Sequence, residues 1–359
     1  MQKILDWLQN RLADKQLIML LLTLTIIFAL LIMFADILAP LLVALAFAYV
    51  LDGVVALLVR LRMPLMPAVL LVCFGALLIV LVALLTVVPL LSDQVGRLIS
   101  QVPLYVQSLR DLLRAFQEHY ASWLNPNYVQ QMLGSMAVKV QEWGGALLKF
   151  SLSSIPGLIA LMVYAVLVPV LVFFLLKDKK KLMHWGLQFL PREHVLLRRV
   201  WNEVDVQIGN YIRGRFWESL VIGGSMGVVF WLMGHEYALL LGTLTGISVW
   251  IPFIGAAVVT VPVVLLSFFQ WGWSDMTAYS ILAYAIIQAI DANVLIPWLF
   301  SEMVNLHPIA IIVAVLVFGS LWGVVGVFIA IPMAALIHSV LVIIGERSKQ
   351  PEEPAPVDG

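Results

Sequence analysis

Residues 303–345, "MVNLHPIAIIVAVLVFGSLWGVVGVFIAIPMAALIHSVLVIIG", run for 43 positions without Asp, Glu, Lys or Arg. As one helix that is ~65 Å, about twice the ~30 Å hydrocarbon core of a bilayer. The run must therefore fold back or cross twice. The uncharged 38-residue run 237–274 poses the same problem. The whole chain of 359 residues is 62% hydrophobic and 12% charged, with a mean hydropathy of +1.02. A soluble domain carries about 25% charged residues. So few polar side chains cannot cover a globule of this size, and an all-α, polytopic integral membrane protein is expected.

Further stretches long enough to cross are 17–35, 37–59, 65–92, 150–176, 219–235 and 276–301. The predicted organisation is an amphipathic N-terminus over 1–16, three spans within 17–92, and a helical hairpin over 93–149 that turns at "NPN" (125–127). A fourth span follows at 150–176, then a basic amphipathic segment at 177–218, a core at 219–345 and a disordered tail at 346–359. No small-residue cleavage pattern follows the N-terminus, so the first span is expected to be retained. Nine Lys and Arg fall in 177–218 against five in 93–149. The positive-inside rule then places 177–218 and both termini in the cytoplasm and the 93–149 hairpin outside.

The 21 basic and 21 acidic side chains balance, which gives no pull toward nucleic acid. Cys73 is the only cysteine, which excludes an intrachain disulfide and a metal site built on several cysteines. No phosphate-binding loop is present. No cofactor, metal or catalytic residue is expected, and any driving energy has to come from an ion gradient.

The two long runs share a texture. "GISVWIPFIGAAVVTVP" (246–262) and "GSLWGVVGVFIAIP" (319–332) each set a Trp, then a Gly, then a Pro: Trp250, Gly255 and Pro262 against Trp322, Gly326 and Pro332. The spacings differ by one at each step, so the internal repeat is an approximate one. Pro252 is expected to leave the Ser248 carbonyl unpaired, and Pro332 that of Phe328. Paired Gly/Pro-interrupted segments point to a transporter binding site, and Trp250, Pro252, Gly255, Pro297, Pro308, Trp322, Gly323, Gly326 and Pro332 are the candidate gating positions. Ordinary kinked spans are the alternative. Gly242 to Gly246 and Gly319 to Gly323 fit helix packing through small residues equally well.

Asp291 stands inside the span 276–301, close to its middle if Asp275 and Glu302 mark the ends. A carboxyl is costly to keep charged at such depth. Tyr284, Gln288 and Asp291 share one helix face, continued by Trp298 and Glu302. Pro297 frees the carbonyl of Asn293, so the helix should loosen there. Asp291, Asn293, Gln288, Tyr284, Glu302, Asn305 and His307 are the candidate ion- or substrate-binding residues. The alternatives are an Asp291 permanently paired with an arginine such as Arg213 or Arg215, or buried in an interhelical hydrogen bond, and a His307-Pro308 pair that starts the next helix. Asp36 and Asp52 lie near span ends and read as headgroup contacts. "GGSMG" (223–227) matches the G-x-S-x-G nucleophile pattern, but that motif needs a strand-to-helix turn. Small residues for helix packing explain it better.

"VPVLVFFLLKDKKK" (168–181), "NYIRGR" (210–215), "WIPFIGA" (250–256), "DANVLIPWLFSEMVNLHP" (291–308) and "GVVGVFIAIPMAA" (323–335) occur in that order. Together they resemble the AI-2E family of bacterial transporters, and within it the PerM-like permeases. The resemblance implies an inner-membrane protein of about eight spans with a secondary transport role. Export of autoinducer-2 is ascribed to some members and sodium/proton antiport to others. The motif positions it carries over are Tyr211, Arg213, Pro252, Gly255, Asp291, Asn293, Pro297, His307, Pro308, Gly326 and Pro332. Arg215 departs from the Gln of many relatives.

The expectation is an ion-gradient-driven carrier of a small polar solute, with Asp291 taking a proton or sodium. Asn293 and freed carbonyls would complete a polar pocket near the midplane, between the broken segments. Tyr211, Arg213 and Arg215 would lie on a cytoplasmic helix that braces the moving part. Expected partners are membrane lipid, the solute, the coupling ion and further copies of the chain. The rival readings are a sodium/proton antiporter without organic substrate, a membrane scaffold and an intramembrane serine hydrolase acting through Ser225.

Overall fold

The structure, a computed structural model, describes residues 33–119, 155–188, 195–252, 254–300 and 307–347, with isolated pairs at 22–23, 25–26, 134–135 and 138–139. The expected N-terminal helix, most of the first span, the "NPN" turn, the Glu302–Asn305 stretch and the tail lie outside the described residues. Every described element is helical, and the chain is an all-α polytopic membrane protein.

Three long helices form the first part: α1 (Ala35–Arg60), α2 (Leu65–His119) and α3 (Ile155–Lys177). They pack through Ala44, Ala48, Val55, Ala68, Val69, Val72, Val172 and Leu176. Small residues on the facing stripe let the backbones approach where no hydrophobic effect drives helices together in lipid. The outward stripe is large and apolar, with Phe74, Ile79, Leu85 and Val166 exposed as lipid-facing residues should be. Arg60, Arg62, Lys177, Lys179 and Lys181 gather at one end, which we term the basic end. There the short α4 (Lys179–Gln188) begins and Lys179 Nζ lies 3.1 Å from Asp52 Oδ2. Asp52 is thus paired with a lysine within the protein.

No break separates the 65–92 span from the segment after it. α2 is continuous over 55 residues, with Pro89 and Pro103 inside it, roughly 80 Å of helix. It leaves the bundle at the end opposite the basic one.

The second part is built on α5 (Val195–Leu232), α6 (Ala238–Ser248), α7 (Ile254–Trp271) and α8 (Asp275–Ile290). α5 and α6 meet along glycine. A Cβ on Gly242 would lie 2.7 Å from the backbone of Gly227, and one on Gly246 would lie 2.8 Å from the Ser219 carbonyl. Ser219 Oγ donates to the Gly246 carbonyl at 2.7 Å across the same seam. Met226, Phe230, Tyr237, Leu241, Val259, Val263 and Tyr284 form the core beside it. At the end away from the basic one, α2 docks onto the α6–α7 pair. Gln94 Oε1 accepts the Leu240 N–H at 2.8 Å, Tyr237 Oη donates to Gln101 Oε1 at 2.9 Å, and Tyr105 stacks on Phe269 at 4.3 Å.

The run 237–274 resolves into a hairpin. α6 has 11 residues, about 16 Å, too short for a ~30 Å core, and the chain turns over residues 249–253 before α7 returns. The run 303–345 behaves alike. α10 (Pro308–Arg347) reverses at Gly323, whose φ of 58° and ψ of −135° only glycine adopts freely. Ala314, Val315 and Phe318 of its first limb pack on Ala330 and Ala334 of its second. Between the hairpins α8 continues through a π-helical turn (Asp291–Leu295) into α9 (Ile296–Leu299).

Candidate functional site

The π turn is where the sequence expectation of a loosened helix is met. Pro297 has no N–H to give the carbonyl four residues back, and the wider turn absorbs the defect, with the Ile296 N–H donating to the Asp291 carbonyl. Such turns are frequent at functional sites. Asp291 is left 8% exposed. Asn293 is rotated outward, exposed, and donates from Nδ2 to the Ala289 carbonyl at 2.8 Å. The expected Asp291–Asn293 pair is therefore not assembled. Nor does Asp291 lie at mid-span: sixteen residues separate it from Asp275 and eight from Leu299, about 24 Å and 12 Å. It stands toward the basic end.

Asp291 faces α5. Arg215 and Glu218, one turn apart, are buried there at 8% and 1% exposure. Arg215 Nη1 donates to both Glu218 oxygens, at 2.9 and 2.8 Å, and to the Val249 carbonyl at 3.0 Å. Val249 is the first residue of the α6–α7 turn. The guanidinium also lies over the rings of Phe300 and Tyr211, 4.9 and 5.6 Å from their centroids. Asp291 is within electrostatic reach of both Arg215 and Glu218. Its buried Oδ1 accepts no hydrogen bond from any described residue. Arg213 turns to the other side, toward Asn210 Oδ1 at 2.8 Å and the Tyr49 carbonyl at 3.4 Å. Neither arginine weighed as a permanent partner of Asp291 is paired with it.

Tyr284 and Gln288 do share the Asp291 face, but they are fastened. Gln288 Nε2 donates to Tyr284 Oη at 2.8 Å, and Tyr284 Oη donates to the Ala256 carbonyl at 2.8 Å, which ties α8 to the first turn of α7. His307 caps α10: its Nδ1 accepts the Ile309 N–H at 3.3 Å and its carbonyl the Ala310 N–H at 2.8 Å. That favours the helix-start reading of His307-Pro308. Glu302 and Asn305 lie outside the described residues.

The hairpin tips are alike in construction. Gly255 lies against the Ser248 carbonyl and Gly326 against that of Phe318, each so closely that a Cβ would overlap the oxygen. The Ser248 carbonyl is not orphaned by Pro252, as the sequence led us to expect, because the tight turn delivers the Ile251 N–H to it at 2.9 Å. Trp250 and Phe328 bring the tips together at a centroid distance of 5.0 Å, and Trp322 stacks on Phe318 at 5.9 Å. An apolar cavity of ≈ 440 Å³ opens between the tips, against Ile251, Ile254, Val315, Val327 and Phe328, with Gly323 at its edge. Ser320 is the one polar side chain lining it, and Asp291 is not part of its wall. The carboxyl cluster and the cavity are neighbours along the chain, through Val249 and Ile251.

Glu218 was not singled out from sequence. It is the last residue of the basic segment 177–218. The usable signal was the spacing Tyr211, Arg215, Glu218, which puts a cation and an acid on one helix face. Ser225 sits within the last two turns of α5 with its hydroxyl donating to the Val221 carbonyl, and no strand precedes it, so the nucleophile geometry is absent there.

The chain matches the AI-2E family transporter over residues 17–344. It belongs to that family. PerM of Escherichia coli (strain K12), a permease by name, is 39% identical over 344 residues, 95% of this chain and 97% of PerM. Two Bacillus subtilis (strain 168) members, transport proteins by name, are more distant. YrrI is 26% identical over 260 residues, 71% of each chain, and YueF is 24% identical over 285 residues, 75% of this chain and 76% of its own. The AI-2E match spans both hairpins, the π turn and the Arg215–Glu218 face.

Proposed function

We propose that this AI-2E family member is a secondary transporter of the bacterial inner membrane, driven by an ion gradient, in which Asp291 takes up the coupling proton or sodium. The observation that carries the reading is a buried carboxylate, one oxygen of which has no partner among the described residues, held in a π turn within a span. Burying such a group uncompensated costs several kcal/mol, a cost a protein bears where the group is used. The two hairpins touch at their tips and form the gate, and opposed folded-back segments of this kind are the usual walls of a transporter site. The N-terminus, the basic end and the C-terminus face the cytoplasm by the distribution of Lys and Arg, and the cargo is a small polar solute.

A second reading, cation/proton antiport without organic cargo, is favoured by the cavity between the tips, whose wall offers a polar solute a single hydroxyl. One experiment separates them. Purified protein in liposomes is loaded with a pH-sensitive dye, and wild type is compared with Asp291→Asn across cations and small polar metabolites. Ion-coupled flux is expected to vanish in Asp291→Asn. Undiminished flux in that variant sinks the assignment, and proton movement driven by sodium alone selects the antiporter.

A further inference from the structure

Among the described residues, the three buried charges of this site, Arg215, Glu218 and Asp291, do not balance. Arg215 contributes one positive charge, Glu218 and Asp291 two negative. Among the described residues, Arg215 is the one cation in a salt bridge with Glu218, and none is in a salt bridge with Asp291. α6, α7 and the first limb of α10 carry no Asp, Glu, Lys or Arg at all. Arg213, the nearest alternative cation on α5, is engaged by Asn210 and Tyr49. Arg215 is anchored from three directions, by both Glu218 oxygens, the Val249 carbonyl and two aromatic rings. It neutralises Glu218 and leaves Asp291 over. A buried cluster of net charge −1 is stable only if one further unit of positive charge joins it. The buried Oδ1 of Asp291, which accepts no hydrogen bond from a described residue, is the atom that charge would meet.

We propose that Asp291 and Glu218 together form a site for a single monovalent cation, with Arg215 as the built-in counter-charge that limits the site to one. The proposal rests on the reading of Asp291 as the coupling group and adds the second carboxylate, the class of ion and its stoichiometry. Carboxylate oxygens suit a hard ion such as sodium. A divalent ion would leave the cluster at +1, as badly unbalanced as the empty site. Because Arg215 also holds the Val249 carbonyl, a cation drawn in between the carboxylates weakens the hold of Glu218 on the guanidinium and with it the tether on the α6–α7 tip. Occupancy is in this way linked to the gate.

The test is a count of charge. Full-length purified protein is titrated with labelled sodium ion at mildly alkaline pH. Wild type is expected to saturate at one sodium per chain. Glu218→Gln makes the cluster neutral, since Arg215 then turns to Asp291, and its affinity is expected to fall about a hundredfold, the scale of one uncompensated buried charge. Removing Arg215 as well, in Arg215→Gln/Glu218→Gln, restores −1 and should recover sodium binding well above that of Glu218→Gln yet short of wild type, because the second carboxylate is still missing, a rescue that a merely structural role for these residues would not produce. Sodium binding by Glu218→Gln as tight as wild type overturns the proposal, as does a folded double variant that fails to recover, or a wild type that binds no sodium. If Asp291→Asn keeps wild-type binding and flux, the reading of Asp291 itself has failed. If Asp291→Asn is dead while Glu218→Gln is normal, only the two-carboxylate site has.

Discussion

Gly255 and Gly326 occupy positions that no other residue can take without moving backbone. Each replaces a side chain by the carbonyl of the preceding helix, Ser248 in one hairpin and Phe318 in the other. Alanine at either should cost about 3 kcal/mol, the upper end for overpacking, because the obstructing atom belongs to the main chain. The melting temperature in detergent should drop by roughly 4 °C for a chain of this size. Gly224, on the open face of α5 with nothing within 4 Å of a built Cβ, should respond in the opposite sense. Alanine there should stabilise by about 0.5–1 kcal/mol through helix propensity. Equal melting of the Gly255→Ala and Gly224→Ala proteins would show that the tip is looser than the close packing of Gly255 on Ser248 requires. Asp291 illustrates the complementary rule: its face is set by the α-helical register it shares with Tyr284 and Gln288, and the π turn begins only at its own carbonyl.

Among the elements, the seam between α5 and α6 is asymmetric in a way that makes a clean comparison. A Cβ on Gly242 meets Gly227 backbone at 2.7 Å, whereas one on Gly227 finds only ordinary contacts near 4 Å. Gly242→Ala should therefore pry the helices apart and cost about 1–3 kcal/mol, while Gly227→Ala should be close to neutral. Thermal or denaturant unfolding of the two proteins checks this, and a neutral Gly242→Ala would contradict it. The seam was legible in the four-residue glycine spacing of "GGSMG" and of Gly242–Gly246, as were the two broken runs and the loosening at Pro297. Periodicity and the absence of charge declare such features locally. The continuity of α2 past residue 93 was not legible, since charges entering an apolar helix resemble a span end whether or not the helix stops. Glu218 was hidden for a related reason. Its significance depends on Val249, Phe300 and Asp291, far away in sequence, and a single acid at a segment border carries no mark of that company. The cavity's apolar wall could not be foreseen either, because it depends on which faces of the two hairpins meet.

At the scale of the molecule, Trp250 and Phe328 bring the two hairpins of the proposed gate together at their tips. In a Cys73→Ser background, Trp250→Cys and Phe328→Cys bridged by a short bifunctional thiol reagent should lock the tips and stop flux, with recovery when a cleavable bridge is cut. Flux unaffected by complete bridging would mean the tips do not part during turnover. The orientation is checked in the same background. Ser274→Cys, at the end away from the basic one, should react with an impermeant thiol reagent applied to intact spheroplasts, and Lys180→Cys should react only after lysis. The reverse pattern would invert the topology. The shortness of α6 has one more consequence, for how the protein is made. Eleven residues are too few to be recognised as a crossing when they leave the ribosome, so α6 cannot choose its own depth. It must be carried in against the glycine rail of α5 once that helix is already seated, which makes the order of synthesis part of the assembly instructions.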